Sequence, residues 1–181
     1  SKLRLAWSYD YAPGSTAPES TPGRNWSMTP IVIDDVMYFS TPSPTKSVVA
    51  LNATTGHEIW SKAIPGGVAG RGLAYWKGDK KTPPRLVFTV SSGLMQLDAQ
   101  TGDAIRGFGV DGVLAIDAEL PANLRTRMPN PVSIYDGIAI VGANTNEGAP
   151  PGPRGDIRAW NLRTGKLAWT FHTIPKPDEP G

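Results

Sequence analysis

The feature that most narrows what this chain can fold into is a stretch that occurs three times. ALNATTGHEIW runs from Ala50 to Trp60, LDAQTGDAIR from Leu97 to Arg106, and AWNLRTGKLAW from Ala159 to Trp169. Aligned on the glycine, the shared frame is AxNxxxGxxxW, with Ala50, Asn52, Gly56 and Trp60 in the first copy and Ala159, Asn161, Gly165 and Trp169 in the third. The middle copy keeps Asp98 and Gly102 but carries Gln96 and Arg106 at the outer positions. Internal repetition at this spacing means an architecture assembled from like units, none of which buries its own apolar face alone.

One copy reads as a hairpin. SVVALN has the β-branched and apolar content of a strand. NATTG is a polar turn in which Asn52 can bond its own backbone and Gly56 can take positive φ without a Cβ clash. HEIWSKAI returns as the outer strand. Trp60 on that strand is free to pack against the next unit, which is how a radial repeat buries surface that one sheet cannot cover.

Extended along the chain, the pattern predicts an all-β partial propeller of about three four-stranded antiparallel blades, over residues 27–65, 70–108 and 129–173. The first contains MTPIVI, VMYFST, SVVALN and HEIWSKAI, with Asp34 and Asp35 in the first turn; the second RGLAYW, RLVFTV, LMQLDA and an outer strand DAIRGF; the third NPVSIY, IAIVGAN, DIRAWN and LAWTFHT. Leu3 to Tyr11 reads as an orphan outer strand of a preceding blade, with Trp7 where Trp60 and Trp169 stand, and 174–181 as a linker. This opening and tail read as a segment of a longer protein. A short helix is expected near Pro121–Arg127, where proline suits a helix start. The loop TNEGAPPGPRG is inserted between the second and third strands of the third unit, and long loops on rigid scaffolds carry function.

Composition excludes several classes. Six tryptophans, 39% hydrophobic and 19% charged residues describe a globular chain, and 18 prolines with 20 glycines suit short strands joined by turns. The net charge of +2 makes no case for nucleic acid or an anionic membrane. Without cysteine there is no disulfide, thiolate metal site, covalent haem attachment or Cys nucleophile in this stretch, and the redox compartment stays open. No apolar run reaches membrane-spanning length and no signal peptide precedes Ser1, so any membrane attachment belongs to parts outside the chain. The triplet Arg154-Gly155-Asp156 leads into a strand and reads as structure. His57 and His172 have no partner at ligand spacing, and no Ser/His/Asp arrangement is legible.

The repeat frame, GRGLAYW at Gly70–Trp76, and IVGANTNEGAPPGPRGDIRAWNLRTGKLAWTFHTIP at Ile140–Pro175 together resemble the quinoprotein dehydrogenases that use pyrroloquinoline quinone (PQQ). The resemblance covers nearly the whole chain and implies the N-terminal part of an eight-bladed propeller locked by tryptophan docking. It implies that Arg71 contacts PQQ, whose carboxylates and quinone oxygens suit a guanidinium fork. Glu147 matches a calcium-ligating glutamate, as a hard cation prefers carboxylate oxygen, and Asn144 falls where a small polar residue bonds the cofactor. PQQ and Ca2+ are the implied cofactors.

Departures from the alcohol-oxidising members narrow the branch. GGVAG stands where they carry two adjacent cysteines before the arginine, Ser27 replaces a glutamate three residues before Pro30, and the cofactor-binding threonine is replaced near Met128–Pro131. These point to the membrane glucose-dehydrogenase-like branch. The resemblance implies oxidation of a sugar or alcohol outside the cytoplasm, in the periplasm, with electrons passed to a respiratory acceptor. The family's other calcium ligand and its proton-accepting aspartate belong to later blades, so this chain alone is expected to be inactive and, with open blade faces, to self-associate. The competing reading is a cofactor-free scaffold propeller of the outer-membrane assembly type, which would need neither Arg71 nor Glu147.

Overall fold

A computed structural model of the chain describes residues 3–14, 28–68, 71–90, 93–116, 130–143 and 155–179. They form three antiparallel sheets of four strands each. The first holds β1 (Ile31–Ile33), β2 (Val36–Ser40), β3 (Ser47–Asn52) and β4 (Glu58–Ala63); the second β5 (Ala74–Trp76), β6 (Arg85–Val90), β7 (Gly93–Asp98) and β8 (Val113–Ala115); the third β9 (Ser133–Tyr135), β10 (Ile138–Gly142), β11 (Ile157–Asn161) and β12 (Leu167–Phe171). Each sheet is a plain meander in chain order, so the unit of sequence is the unit of structure, and the three are successive blades of a partial β-propeller.

The core lies between sheets. On β6 the alternation of side chains sends Leu86, Phe88 and Val90 into a cluster shared with Tyr38, Val48 and Ala50 of the first sheet, while Val87 joins Trp160, Val141 and Leu162 of the third. A strand buried on both faces must be apolar throughout, which is why RLVFTV and SVVALN read as continuous runs.

The repeat frame builds one turn three times. Asn52 Oδ1 accepts from the backbone N–H of Thr54 and Thr55, Asp98 Oδ1 from Gln100 and Thr101, and Asn161 Oδ1 from Arg163 and Thr164. The threonine before each glycine, absent from the frame as first aligned, accepts in turn from the N–H of His57, Asp103 or Lys166. Such local bonds satisfy a turn that no ladder reaches.

Tryptophans close the seams. The Trp7 indole lies on Gly56 and donates to Ala53 O at 3.1 Å; Trp60 lies on Gly102 and donates to Ala99 O at 3.2 Å. Between the second and third sheets Arg106 occupies the tryptophan position, and other groups take over. Phe108, fully buried, covers Gly165, and the carbonyl of Leu162 accepts from Gln96 Nε2 at 2.9 Å and Arg85 Nη1 at 3.0 Å. Gln96 stands where the frame has Ala50, so the side chain that fills the indole's donor role grows from the strand facing the missing tryptophan.

Two elements differ from expectation. Residues 3–10 form no strand: among the described residues no sheet edge pairs with them, and they are held through side chains, by Trp7 and by Tyr9, which donates to Glu58 and packs edge-on to Phe39. The outer strand of the second blade is not DAIRGF. Only Ala104 bridges to Leu97 before the chain leaves the sheet, tucks Phe108 into the core and returns as β8 beside Gly93–Met95. Burying that ring outweighs a continuous ladder here. The helix expected near Pro121–Arg127 lies outside the described residues.

Candidate cofactor site

In each meander the start of the innermost strand, the connection between the second and third strands and the end of the outermost strand emerge at one end. Arg71 sits at that end of the second blade, three residues before β5. Gly72 follows with φ +117°, and a Cβ there would lie 3.5 Å from Thr29 O, at the corresponding start of the first blade. Leu73 is buried in the core between the two blades. The glycine and the leucine therefore seat the backbone against its neighbour and leave Arg71 exposed, without a hydrogen bond or ion pair among the described residues. A free guanidinium on a rigid shoulder is ready for an anion.

The third blade presents its own connection at this same end. Arg158, near the start of β11, donates to Ile116 O just past β8 at 3.0 Å, which aligns the ends of the two blades. The stems of the connection, Ala143 and Asp156, are joined by Ala143 N–H donating to Asp156 O at 3.3 Å. Asn144 and Glu147, on the connection itself, lie outside the described residues. Of the three expected site residues the structure thus locates Arg71. Among the described residues no group of three or more His, Cys, Asp or Glu could hold a metal ion. A calcium site would draw on Glu147, whose carboxylate oxygen is the donor a hard cation takes.

One arrangement was missed by sequence reasoning. His172 Nδ1 is 3.0 Å from Asp156 Oδ2, and its Nε2 is 3.6 Å from Glu179 Oε1. The signal was available in the hairpin register: Ile157 pairs with Phe171, so one step outward Asp156 faces His172. The Asp156 side chain is only 8% exposed, which also removes it from any surface role for the Arg154–Asp156 triplet.

At the opposite end of the second and third blades a cleft of about 630 Å³ is lined by Tyr75, Trp76, Asp79, Ile134, Asp136 and Arg163. Arg163 pairs with Asp79 and, like Arg85, lies over the Trp76 ring. The Lys81 backbone N–H and the Arg163 guanidinium hold the Asp79 carboxyl down at about 2. Burial pulls the Arg85 guanidinium down from its ordinary value. These charges spend themselves on one another and on the seam, whereas Arg71 does not.

The family description "PQQ: Glucose/ethanol/alcohol dehydrogenase, beta-propeller domain" matches residues 1–181. The dehydrogenase subunit of the quinone alcohol dehydrogenase of Gluconobacter oxydans (strain 621H) is 31% identical over 188 residues, covering 98% of this chain and 22% of that protein. Two solved structures superpose well. Quinohemoprotein alcohol dehydrogenase ADHIIG from Pseudomonas putida HK5 has a TM-score of 0.64 at 29% identity, over 87% of this chain and 22% of that one. Quinohemoprotein alcohol dehydrogenase from Comamonas testosteroni has a TM-score of 0.65 at 26% identity, over the same 87% and 22%. The chain spans about a fifth of the length of the relatives it matches.

Proposed function

Because the chain belongs to the PQQ-dependent glucose/ethanol/alcohol dehydrogenase β-propeller family, we propose that it supplies part of the cofactor-binding end of an enzyme that oxidises an alcohol or sugar hydroxyl. The alcohol dehydrogenases among its relatives favour an alcohol over the sugar that the glucose-dehydrogenase-like branch would take. The observation that carries this reading is Arg71, exposed and without a partner among the described residues, held at the blade end by Gly72 and Leu73. PQQ, when bound, supplies the two-electron oxidant.

Arg71 binds and orients the anionic cofactor through its forked N–H groups. Glu147 holds calcium with a carboxylate oxygen and Asn144 adds a neutral polar contact to the cofactor, both from the connection whose stems, Ala143 and Asp156, lie at Arg71's end. The remaining calcium ligand and the proton acceptor come from later blades of the longer protein. The 181 residues alone therefore turn over no substrate. Electrons pass to a respiratory acceptor, and the protein works in the periplasm. In the isolated chain the apolar face of β12 is covered by a second copy.

The test is reconstitution of the natural polypeptide that carries this sequence with PQQ and Ca2+, following dye reduction with short alcohols and with glucose. Arg71→Ala should raise the PQQ concentration for half-saturation about tenfold to a hundredfold, the range for hydrogen bonds to charged groups. A polypeptide that binds no PQQ at all would instead be a scaffold.

A further inference from the structure

The end of the first two blades that carries Arg71 differs in charge from the opposite end. The described segments that emerge there are 28–30, 40–47, 63–68 and 71–73, with the strand ends at 90, 93 and 115–116, and their only charged side chains are Lys46 and Arg71. Asp34, Asp35, Asp79 and Asp98 stand at the opposite end of the same blades, in or beside the turns that follow β1, β5 and β7. The field over the Arg71 end of these two blades is therefore set by two cations.

Lys46 belongs to the connection between β2 and β3, and its backbone is fixed on both sides. Its N–H donates to Pro42 O at 2.9 Å, its carbonyl accepts from Ile64 N–H just past β4 at 2.8 Å, and the N–H of Ser47 donates to Thr41 Oγ1 at 2.8 Å. Its φ is +48°, a left-handed conformation that glycine or asparagine takes more cheaply than lysine. The methylenes of its stem lie 3.5–3.7 Å from where a Cβ on Gly67 would stand. The ammonium has no hydrogen bond or ion pair among the described residues. Folding gives no reason to keep a lysine at a braced, left-handed position without an acidic partner, whereas an anionic ligand does.

Lys46 and Arg71 share one corner of the molecule. Met28 Sδ accepts from Ser40 N–H at 3.2 Å, at the start of the Lys46 connection, and a Cβ on Gly72 would lie 3.5 Å from the carbonyl oxygen of Thr29, the next residue. Arg71 precedes the innermost strand of its blade, while Lys46 stands between the second and third strands of its own. Arg71 thus meets what is seated near the axis, and Lys46 what approaches it.

We infer that Lys46 is a specificity-determining residue that draws in and holds the carboxylate of an anionic alcohol, so that the substrate class is a hydroxycarboxylate rather than a neutral alcohol. This rests on the reading of the chain as part of a PQQ-dependent enzyme that oxidises an alcohol, and the experiment separates the two. In the natural polypeptide loaded with PQQ and Ca2+, kcat/KM is measured by dye reduction for a series of ω-hydroxycarboxylates and for primary alkanols of matching chain length. The acids should be favoured, and the preference should shrink as salt is raised. Lys46→Met, which keeps the stem over Gly67, should lower the acid-to-alkanol ratio about 2- to 5-fold, the scale of an exposed ion pair. Lys46→Glu should lower it further, and Lys46→Arg should restore most of it.

If the acids are not favoured, or if neither Lys46→Met nor salt changes the ratio, the inference falls and the alcohol reading stands. If Lys46→Met raises the PQQ concentration for half-saturation and leaves the ratio alone, the cation serves the cofactor and the inference is overturned. If the polypeptide binds PQQ and oxidises no alcohol of either kind, both fall. If Lys46→Met yields no folded protein by circular dichroism, Lys46→Gln carries the same comparison with the same expected result.

Discussion

At Gly56 and Gly102 a methyl group would land 2.6 Å from the indole of Trp7 or Trp60, on a backbone with φ of +75° and +74°. Gly56→Ala and Gly102→Ala should each cost about 2–5 kcal/mol, combining left-handed strain of about 1–2 kcal/mol with overpacking of about 1–3. Gly165→Ala meets the Phe108 ring at an ordinary 3.6 Å and should cost only the backbone part, about 1–2 kcal/mol. Urea denaturation of the three variants gives the ranking, and equal losses would show that the indoles do not bear on the glycines. The glycines were legible because a recurrent turn glycine is itself the signal, whereas what covers each one is not written beside it. Asp79 gives a pH signature. Its carboxyl is depressed from 3.8 to about 2, so its contribution is present above the unfolded value and lost as pH falls through about 2. Melting temperatures measured between pH 5 and pH 2 should therefore decline more in the unaltered chain than in Asp79→Asn.

Among elements, the seam between the second and third blades departs most from the frame. An indole is replaced there by three groups from separate places: Phe108 from the excursion before β8, Gln96 from β7 and Arg85 from β6. The anomaly was legible in Gln96 and Arg106 at positions where the frame has alanine and tryptophan; the remedy was not, because it depends on Leu162 being 66 residues away in sequence and adjacent in space. Gln96→Leu keeps the volume but removes a donor and leaves Arg85 to hold Leu162 O. We expect a loss of about 1–3 kcal/mol, the cost of a buried polar group losing a partner. Arg85→Leu with Gln96→Leu should depart from the sum of the single changes, since the two side chains share Leu162 O and are bonded to each other, Arg85 Nη1 donating to Gln96 Oε1 at 2.6 Å. Additive losses by denaturant titration would mean that the two side chains act independently. The strand content of the other two blades followed from their β-branched and apolar runs, and of the three residues expected at the site only Arg71 lies among the described residues. The Asp156–His172 pair was missed because it forms one step beyond the last paired residues, Ile157 and Phe171, and shows only once the hairpin register is worked out.

The molecule as a whole has two unlike flanks. On the first blade the turn at Gly56 is already covered by Trp7, whereas on the third β12 presents Trp169 and Phe171, which share a face opposite Ala159 and Ile157 and are 44% and 59% exposed. An apolar stripe of this kind favours association. Sedimentation of the 181-residue chain should therefore show mass rising with concentration, and Trp169→Ser with Phe171→Ser should hold it monomeric; a monomer at every concentration in the unaltered chain would contradict this. Trp169 also offers an optical handle on the assembly. Trp76 and Trp160 are buried, and the rings of Trp7 and Trp60 are already covered by their seams, so among the described residues Trp169 is the indole most open to acrylamide quenching. A blue shift in its emission, with loss of that quenching, would report in real time when another surface settles on this flank.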